Sequence, residues 1–334
     1  MVKTMKAVIW TKYGPPEGLQ IREIEKPVPK DNEILIRICA AGFTAGDCEM
    51  RRLALPLMLS LPVRLFAGLM KPKRITILGQ ELAGVVEDVG RDAHLFQKGA
   101  EVFGTTGFNF GTYAEYICLP AEPGDAQGML AAKPANLSFE EAAVVPTAGF
   151  EALHYLRKAG IQPGKKVLII GAGGSIGTFS IQLARHFGAE VTAVDSTEKL
   201  DLLRSLGADH VIDHTKGDYT RQEEVYDLII DVVGRNGVSR RMKLLKPNGN
   251  YFLAYAGLSH VFLSLWMSLT SHKKLRIESS SQSKEDLLYL KNLIETTEIK
   301  PVIDRSYPLE KTAEAHRYAE SGHKKGNIVV TMGH

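Results

Sequence analysis

Cysteine is scarce. Cys39, Cys48 and Cys118 are the only three in 334 residues, and no two stand in a Cys-x-x-Cys pair. That pattern excludes a disulfide framework and points to a reducing, cytoplasmic setting. Charge of one sign is also lacking: 41 Lys and Arg against 38 Asp and Glu leave +3, with no dense basic patch carrying interleaved aromatics. Nucleic acid is therefore not an expected partner. The opening MVKTMKAVIW is too short in apolar length for the core of a signal peptide. The longest apolar stretch, residues 53–70 (LALPLMLSLPVRLFAGLM), is broken by Pro56, Pro62 and Arg64, which forbids a spanning helix. Following the loop at Asp47, it reads first as a lid or pocket wall, then as core or a partner surface. Membrane contact ranks last, so no membrane partner is expected.

What is present is an ordinary globular composition, 44% hydrophobic and 24% charged, in a chain long enough for two domains with buried cores. The chain is organised around residues 166–199. Val167, Leu168, Ile169 and Ile170 form a short apolar run that ends at glycine, the mark of a strand buried on both faces. GAGGSIG follows at 171–177, then apolar residues at helical spacing, a stop at Gly188, and a second apolar run, 191–194, closing on Asp195. Strand, glycine turn, helix, strand and acidic end together make a βαβ dinucleotide-binding unit. Small residues at such a turn let the backbone approach a pyrophosphate, whose charge is met by the N–H groups of the helix start.

The G-x-G-x-x-G pattern aligns as Ala172, Gly174 and Gly177, its first glycine replaced by alanine. Candidate cofactor-binding residues are Gly171, Ala172, Gly174, Ser175, Ile176, Gly177, Asp195, Ser196 and Lys199. Asp195 favours NAD, because a carboxylate accepts hydrogen bonds from a ribose and repels a 2′-phosphate. Ser196 and Lys199 argue for NADP, since a hydroxyl and an ammonium hold that phosphate. The balance leans to NAD. Asp195 or Ser196 also reads as a cap for a helix beginning at Thr197.

Ahead of this unit, residues 1–133 read as many short strands between glycine turns, a small barrel-like β domain. Strands are expected over 6–10 and 34–39, within 77–90, and across 99–118. At Ser138 the period changes, with Glu141 three residues on in a capping-box arrangement. Beyond Lys199, alternating strands and helices imply a parallel sheet with helices on both faces; Leu275 to Ser279 is the last candidate strand. The tail, with an extended segment to Pro308, a helix over 310–321 and a strand over 327–332, returns to the first style. The expected division is therefore 1–133 with 282–334, and 134–281 between them.

Met5–Trp10 (MKAVIW), LGQELAGVVEDVG from Leu78, PTAGFEAL from Pro146, GAGGSIGTFSIQLA from Gly171, LRSLGADHVID from Leu203 and YPLEKTAEAHRYAESGHKKGNIVV from Tyr307 resemble the medium-chain dehydrogenase/reductase superfamily over nearly the whole chain. The likeness is greatest to its zinc-independent quinone oxidoreductase branch. It implies a GroES-like β-barrel catalytic domain joined to a Rossmann domain, an α/β chain with a doubly wound parallel sheet, with the cofactor in the cleft between them. It also implies a homodimer and adds Thr147 to the cofactor-binding set. Zinc-dependent members use Cys, His and Cys as catalytic ligands; the matching places here are Thr44, Gln80 and the neighbourhood of Pro146 and Thr147. None of these is a good zinc ligand, and no four-cysteine lobe lies between Phe103 and Tyr113, so no zinc is expected. Where the branch usually carries Asn and often Tyr, this chain has Thr44 and Glu49.

Without a metal, the nicotinamide carries the hard chemistry. The expected reaction is hydride transfer from NAD(P)H to an apolar small molecule with an activated acceptor, a quinone or an α,β-unsaturated carbonyl, which delocalises the developing charge. Two alternatives stand beside it: a zinc-independent aldehyde or ketone reductase, and a nucleotide-binding sensor or scaffold without turnover. Thr44 is the first candidate for a pocket hydrogen bond, against a loop hydroxyl satisfying its own backbone. Glu49 and Arg51 are candidates by position, against a solvated surface role. Asp47 reads as a structural loop anchor.

Overall fold

The computed structural model describes residues 3–53, 57–122, 128–221, 225–234, 237–255, 257–278 and 280–333, without the side chains of 57–59, 258 and 268. Residues 54–56 of the apolar stretch and the Ser279 end of the last expected strand lie outside the described residues. In chain order the first elements are β1 (Thr4–Trp10), β2 (Leu19–Glu25), β3 (Glu33–Phe43), α1 (Ala45–Arg52), α2 (Leu57–Ala67), β4 (Glu81–Val89), β5 (Glu101–Thr105), β6 (Tyr116–Pro120), β7 (Met129–Ala132), α3 (Phe139–Ala143) and α4 (Pro146–Lys158). There follow β8 (Lys166–Ile170), α5 (Ser175–His186), β9 (Glu190–Asp195), α6 (Leu200–Ser205), β10 (His210–Asp213), β11 (Tyr226–Asp231), α7 (Val238–Arg241), β12 (Leu245–Leu253), α8 (Leu258–Thr270) and β13 (Lys274–Arg276). The chain closes with α9 (Lys284–Glu295), β14 (Ile303–Pro308), α10 (Thr312–Glu320) and β15 (Asn327–Thr331).

Two compact units divide these elements: residues 1–147 with 283–295 and 303–334, and residues 148–282 with 296–302. The first unit holds a seven-stranded sheet in the order β14-β15-β3-β4-β5-β7, with β6 also paired to β3, and a separate antiparallel ribbon of β1 and β2. Its strands are mostly antiparallel and bury alternate residues: Ile34, Ile36 and Ile38 of β3 and Leu82 of β4 lie fully inside with Trp10 and Val102. The tail supplies two strands of this sheet, with Val330 paired to Ala41 across β15 and β3.

The second unit holds a six-stranded parallel sheet ordered β10-β9-β8-β11-β12-β13. Counting β8 as the first strand, this is the 3-2-1-4-5-6 order of a Rossmann sheet, and the order reverses between β8 and β11. The βαβ pattern read from the sequence produces its central part. Val167, Leu168 and Ile169 are fully buried, as are Val191 and Ala193. Buried hydroxyls on α5 are satisfied by carbonyls of the preceding turn: Thr178 Oγ1 donates to the Ser175 carbonyl at 2.9 Å, and Ser180 Oγ to that of Ile176 at 2.8 Å. Gln182 binds Lys300 through both ends of its amide, donating at 3.0 Å and accepting at 2.9 Å.

The helical segment expected from Ser138 is two helices. The capping box at its start forms as read: Ser138 Oγ accepts from Glu141 N at 3.2 Å, and the Glu141 carboxylate from Ser138 N at 2.9 Å. Pro146 then ends α3's run and opens α4, where proline's missing N–H costs nothing. The apolar run near Trp266, given no helix from sequence, is α8. Its inner residues Leu263 and Met267 pack on the core, while Phe262, Leu265, Trp266 and Leu269 face outward.

Candidate functional site

In the second unit, the carboxyl ends of β8 and β11 frame the point at which the strand order reverses, where open α/β sheets bind ligands. The glycine turn sits at the end of β8. Gly171 takes φ +76°, a left-handed conformation, and its N–H and that of Ala172 both donate to the Val194 carbonyl, at 3.0 and 3.1 Å. Gly177 is required by close approach: a Cβ there would stand 2.5 Å from the Ala172 carbonyl oxygen. At Gly174 the space is open, with the nearest atom to an added Cβ, the Gly171 carbonyl oxygen, 3.4 Å away. The turn thus packs tightly on the protein side and leaves a cradle at Gly174, where α5 begins with Ser175, Ile176 and Gly177 in its first turn. A helix N-terminus behind a small-residue cradle fits the pyrophosphate of a dinucleotide.

Asp195 ends β9 and closes this turn. Its Oδ2 accepts from Gly173 N at 2.8 Å and its Oδ1 from Ser196 N at 2.8 Å. Lys199 Nζ lies 3.2 Å from Oδ1, and both side chains are buried. Two expectations change here. Lys199, read from sequence as a partner for a 2′-phosphate, is held against Asp195. Ser196 occupies the cap position of the turn at Thr197–Lys199 without a side-chain cap bond, and Asp195 divides its oxygens, Oδ2 on the glycine turn and Oδ1 on Ser196 N and Lys199. On β11, Asp231 is fully buried and bonded to Arg241 and Tyr251, and its Oδ1 receives Val233 N and Gly234 N at 3.0 and 2.9 Å. Sequence reading assigned Asp231 no role. Its one available signal is position, an acid at the end of a buried strand.

The first unit gathers the places of Thr44, Gln80 and Thr147. Thr44 caps α1: its Oγ1 accepts from Asp47 N at 3.3 Å and donates its only proton to Asp47 Oδ2 at 2.9 Å. The Asp47 carboxylate, fully buried and raised in pKa by that burial, also accepts from Thr44 N and Gly79 N. It anchors the loop. Gln80 Nε2 donates to the Gly107 carbonyl at 2.7 Å. Thr147 N, at the start of α4, donates to Glu81 Oε1 at 2.6 Å, and burial lifts the Glu81 carboxyl to about 7. Glu81 was missed from sequence, where it reads as one more residue of a strand.

Glu49 and Arg51 do not join Thr44. Glu49 is exposed on α1 and pairs with Arg52. Arg51 corrects the expectation of a solvated side chain: it is fully buried, donates to the Gly14 carbonyl and Glu320, and meets His316 Nδ1 at 3.2 Å. Burial and the neighbouring guanidinium hold His316 down to about 3, so its ring is neutral. Cys48, 3.4 Å from the same ring nitrogen, is pushed up to about 12 by burial and is an inert thiol. Among the described residues no group of three or more His, Cys, Asp or Glu side chains could hold a metal ion.

Three family models match the chain: an alcohol dehydrogenase GroES-like domain over residues 30–123, the C-terminal domain of alanine dehydrogenase/PNT over 152–239, and a zinc-binding dehydrogenase over 206–330. The 2-methylene-furan-3-one reductase of Solanum lycopersicum is 32% identical over 98% of this chain and 79% of its own. The NADPH-dependent alkenal/one oxidoreductase of Arabidopsis thaliana, a chloroplastic protein, is 31% identical over 98% and 80%. Among solved structures, the quinone oxidoreductase from Coxiella burnetii superposes with a TM-score of 0.86 at 28% identity, covering 98% of this chain and 99% of that one. With its GroES-like unit, its Rossmann sheet and these relatives, the chain belongs to the medium-chain dehydrogenase/reductase superfamily, in its quinone oxidoreductase-like branch.

Proposed function

We propose that this chain is an NAD(P)H-dependent reductase that delivers hydride to an activated acceptor, a quinone or an α,β-unsaturated carbonyl, without zinc. The observation that carries the reading is the glycine turn closed by Asp195 at the reversal point of a Rossmann sheet, with an open cradle at Gly174. The names of the relatives, reductases of an enone-type furanone, of alkenals and of quinones, support the acceptor class.

When bound, the nicotinamide cofactor supplies the hydride. Gly174 and the first turn of α5 hold the pyrophosphate, and Gly177 lets α5 approach β8 closely enough for this. The Asp195–Lys199 pair supports NADH as the preferred donor: a 2′-phosphate would have to draw Lys199 away while facing the carboxylate. The donor set at the places of the family's zinc ligands supports metal-free chemistry. Thr44 is bonded to Asp47, Gln80 presents an amide bonded to Gly107, and Thr147 follows a proline. Thr44's proton being spent on Asp47, charge developing on the acceptor is met by backbone N–H groups or water, and an enone or quinone, which spreads that charge, is the substrate such a site suits.

The free thiols of Cys39, Cys48 and Cys118 support a reducing, cytoplasmic setting. We propose the division expected from sequence, 1–133 with 282–334 around 134–281, for the functional halves, although residues 134–147 pack in the first compact unit and 296–302 in the second.

A screen of NADH and NADPH oxidation against quinones, enones and simple aldehydes tests the reading. Turnover of quinones or enones is expected. Turnover confined to aldehydes or ketones would make the chain a carbonyl reductase, and cofactor binding without turnover a nucleotide sensor. Elemental analysis should find no stoichiometric zinc; one zinc per chain, with activity lost on chelation, would overturn the metal-free reading.

A further inference from the structure

We propose that the outer face of α2 and the turn after it, residues 61–74 of the first unit, docks this chain on an anionic lipid surface. The inference stands apart from the acceptor the enzyme reduces, and it reverses the sequence expectation of no membrane partner. Leu61, Leu65, Phe66, Leu69 and Met70 are all exposed, Leu65 by 69% and Met70 by 88%. Single exposed apolar side chains are ordinary on a protein surface, but five within ten residues are not.

The fold holds this tip in place. Gly68 leaves α2 at φ +139°, and a Cβ there would stand 2.1 Å from the Lys71 carbonyl oxygen. The Ala67 carbonyl accepts from both Lys73 N and Arg74 N, at 2.8 and 3.0 Å. Tyr13 Oη donates to the Gly68 carbonyl at 2.5 Å, while Arg64 lies over the Tyr13 ring and donates to the Leu69 carbonyl at 3.3 Å. Leu69 and Met70 are therefore presented outward by a braced turn.

Charge identifies the occupant. Lys71, Lys73 and Arg74 are exposed beside the apolar tip, and residues 61–74 carry four Lys and Arg with no Asp or Glu. The chain as a whole is nearly balanced, so this window is biased to one sign. Apolar anchors ringed by cations are what an anionic membrane interface binds. A second copy of this chain is the poorer fit, because a two-fold contact would set the same cations against themselves. Among the described residues no helix is long and apolar enough to cross a membrane. Pro62 and Arg64, which exclude a span, do not hinder a helix that lies on the surface.

The test is co-sedimentation of the full chain with vesicles of phosphatidylcholine alone, and of three parts phosphatidylcholine to one of phosphatidylglycerol. Binding is expected only to the anionic vesicles, and should weaken as salt is raised. Lys71→Glu with Lys73→Glu should lower affinity about thirty-fold or more. Leu69→Ser with Met70→Ser should abolish pelleting while leaving the melting temperature at the wild-type value. The proposal falls if wild type stays in the supernatant with anionic vesicles, or if both double variants pellet as wild type does. It also falls if Leu69→Ser with Met70→Ser changes the chain's mass by light scattering without vesicles, since the face would then belong to a second copy.

Discussion

Asp195 and Lys199 form an ion pair that closes the glycine turn and on which the proposed preference for NADH rests. The carboxylate fastens the glycine turn through Gly173 N and at the same time pairs with the Lys199 ammonium. Asp195→Ser removes the repulsion and releases Lys199, so the ratio of kcat/KM for NADPH over NADH should rise about ten-fold or more. Lys199→Ala should move the ratio the other way with little change for NADH. Steady-state kinetics on both cofactors check this; an unchanged ratio in Asp195→Ser would place the carboxylate away from the ribose. Glu81 gives a prediction in pH. Burial keeps its proton on up to about pH 7 in the folded chain, whereas the unfolded chain releases it near 4.5. Between these values the folded state binds more protons, so this group's contribution to stability is complete below 4.5 and is lost as pH rises through 7. Glu81→Gln keeps an acceptor for Thr147 N and has no proton to lose. It should gain on wild type across that window by on the order of 3 kcal/mol, read from urea unfolding at each pH. Parallel curves would show that Glu81 titrates alike folded and unfolded.

Among the elements, the glycine turn separates packing from binding. Gly177→Ala forces a methyl against Ala172, and should destabilise the chain by about 1–3 kcal/mol as well as weaken cofactor binding. Gly174→Ala meets nothing closer than 3.4 Å at an ordinary φ, so its thermal melt should match wild type while its cofactor Kd, read by fluorescence titration, rises about ten-fold. Equal damage from both would mean that the Gly174 cradle is not where the pyrophosphate sits. Arg51 pins α1 to α10 through Glu320 and His316, and Arg51→Met should cost about 2–4 kcal/mol in a denaturant melt. The βαβ core was legible from sequence because Val167–Ile170 and Val191–Val194 are buried on both faces and the glycines between them admit few alternatives. So was the capping box of Ser138 and Glu141, which is local. Arg51 was not: its burial depends on Gly14, His316 and Glu320, far away in the chain, and nothing within α1 announces them. Nor was the Asp195–Lys199 contact, four residues apart but fixed by how the turn folds back. α9 went unassigned although its buried Leu287, Leu290, Leu293 and Ile294 repeat at helical spacing, so that signal was present.

At the scale of the whole molecule, the sheet of the second unit ends, among the described residues, at β13. Beside it lies α8, whose Ser264 Oγ donates to the Leu275 carbonyl at 2.7 Å and whose outer face exposes Phe262, Leu265, Trp266 and Leu269. An unpaired strand edge with an apolar flank invites another copy of itself, and a homodimer is the assembly we expect. Light scattering at micromolar concentration should give twice the chain mass, and Phe262→Ser with Trp266→Ser should halve it; a monomeric wild type would refute the assembly.

The bond between Gln182 and Lys300 bears on how this protein can be cut. Residues 296–302 belong to the second unit although α9, just before them, belongs to the first. A recombinant fragment ending at Gln282 would therefore lose the carbonyl and the N–H of Lys300 that Gln182 binds at 3.0 and 2.9 Å, exposing a seam in the middle of α5. Each of the two lost hydrogen bonds would cost about 0.5–1.5 kcal/mol, a large share of the stability of a marginal fragment. The nucleotide-binding half is thus not a detachable module. To express it alone, 148–282 must be spliced by a short linker to 296–302, and hydrogen exchange at α5 would report whether the graft has taken.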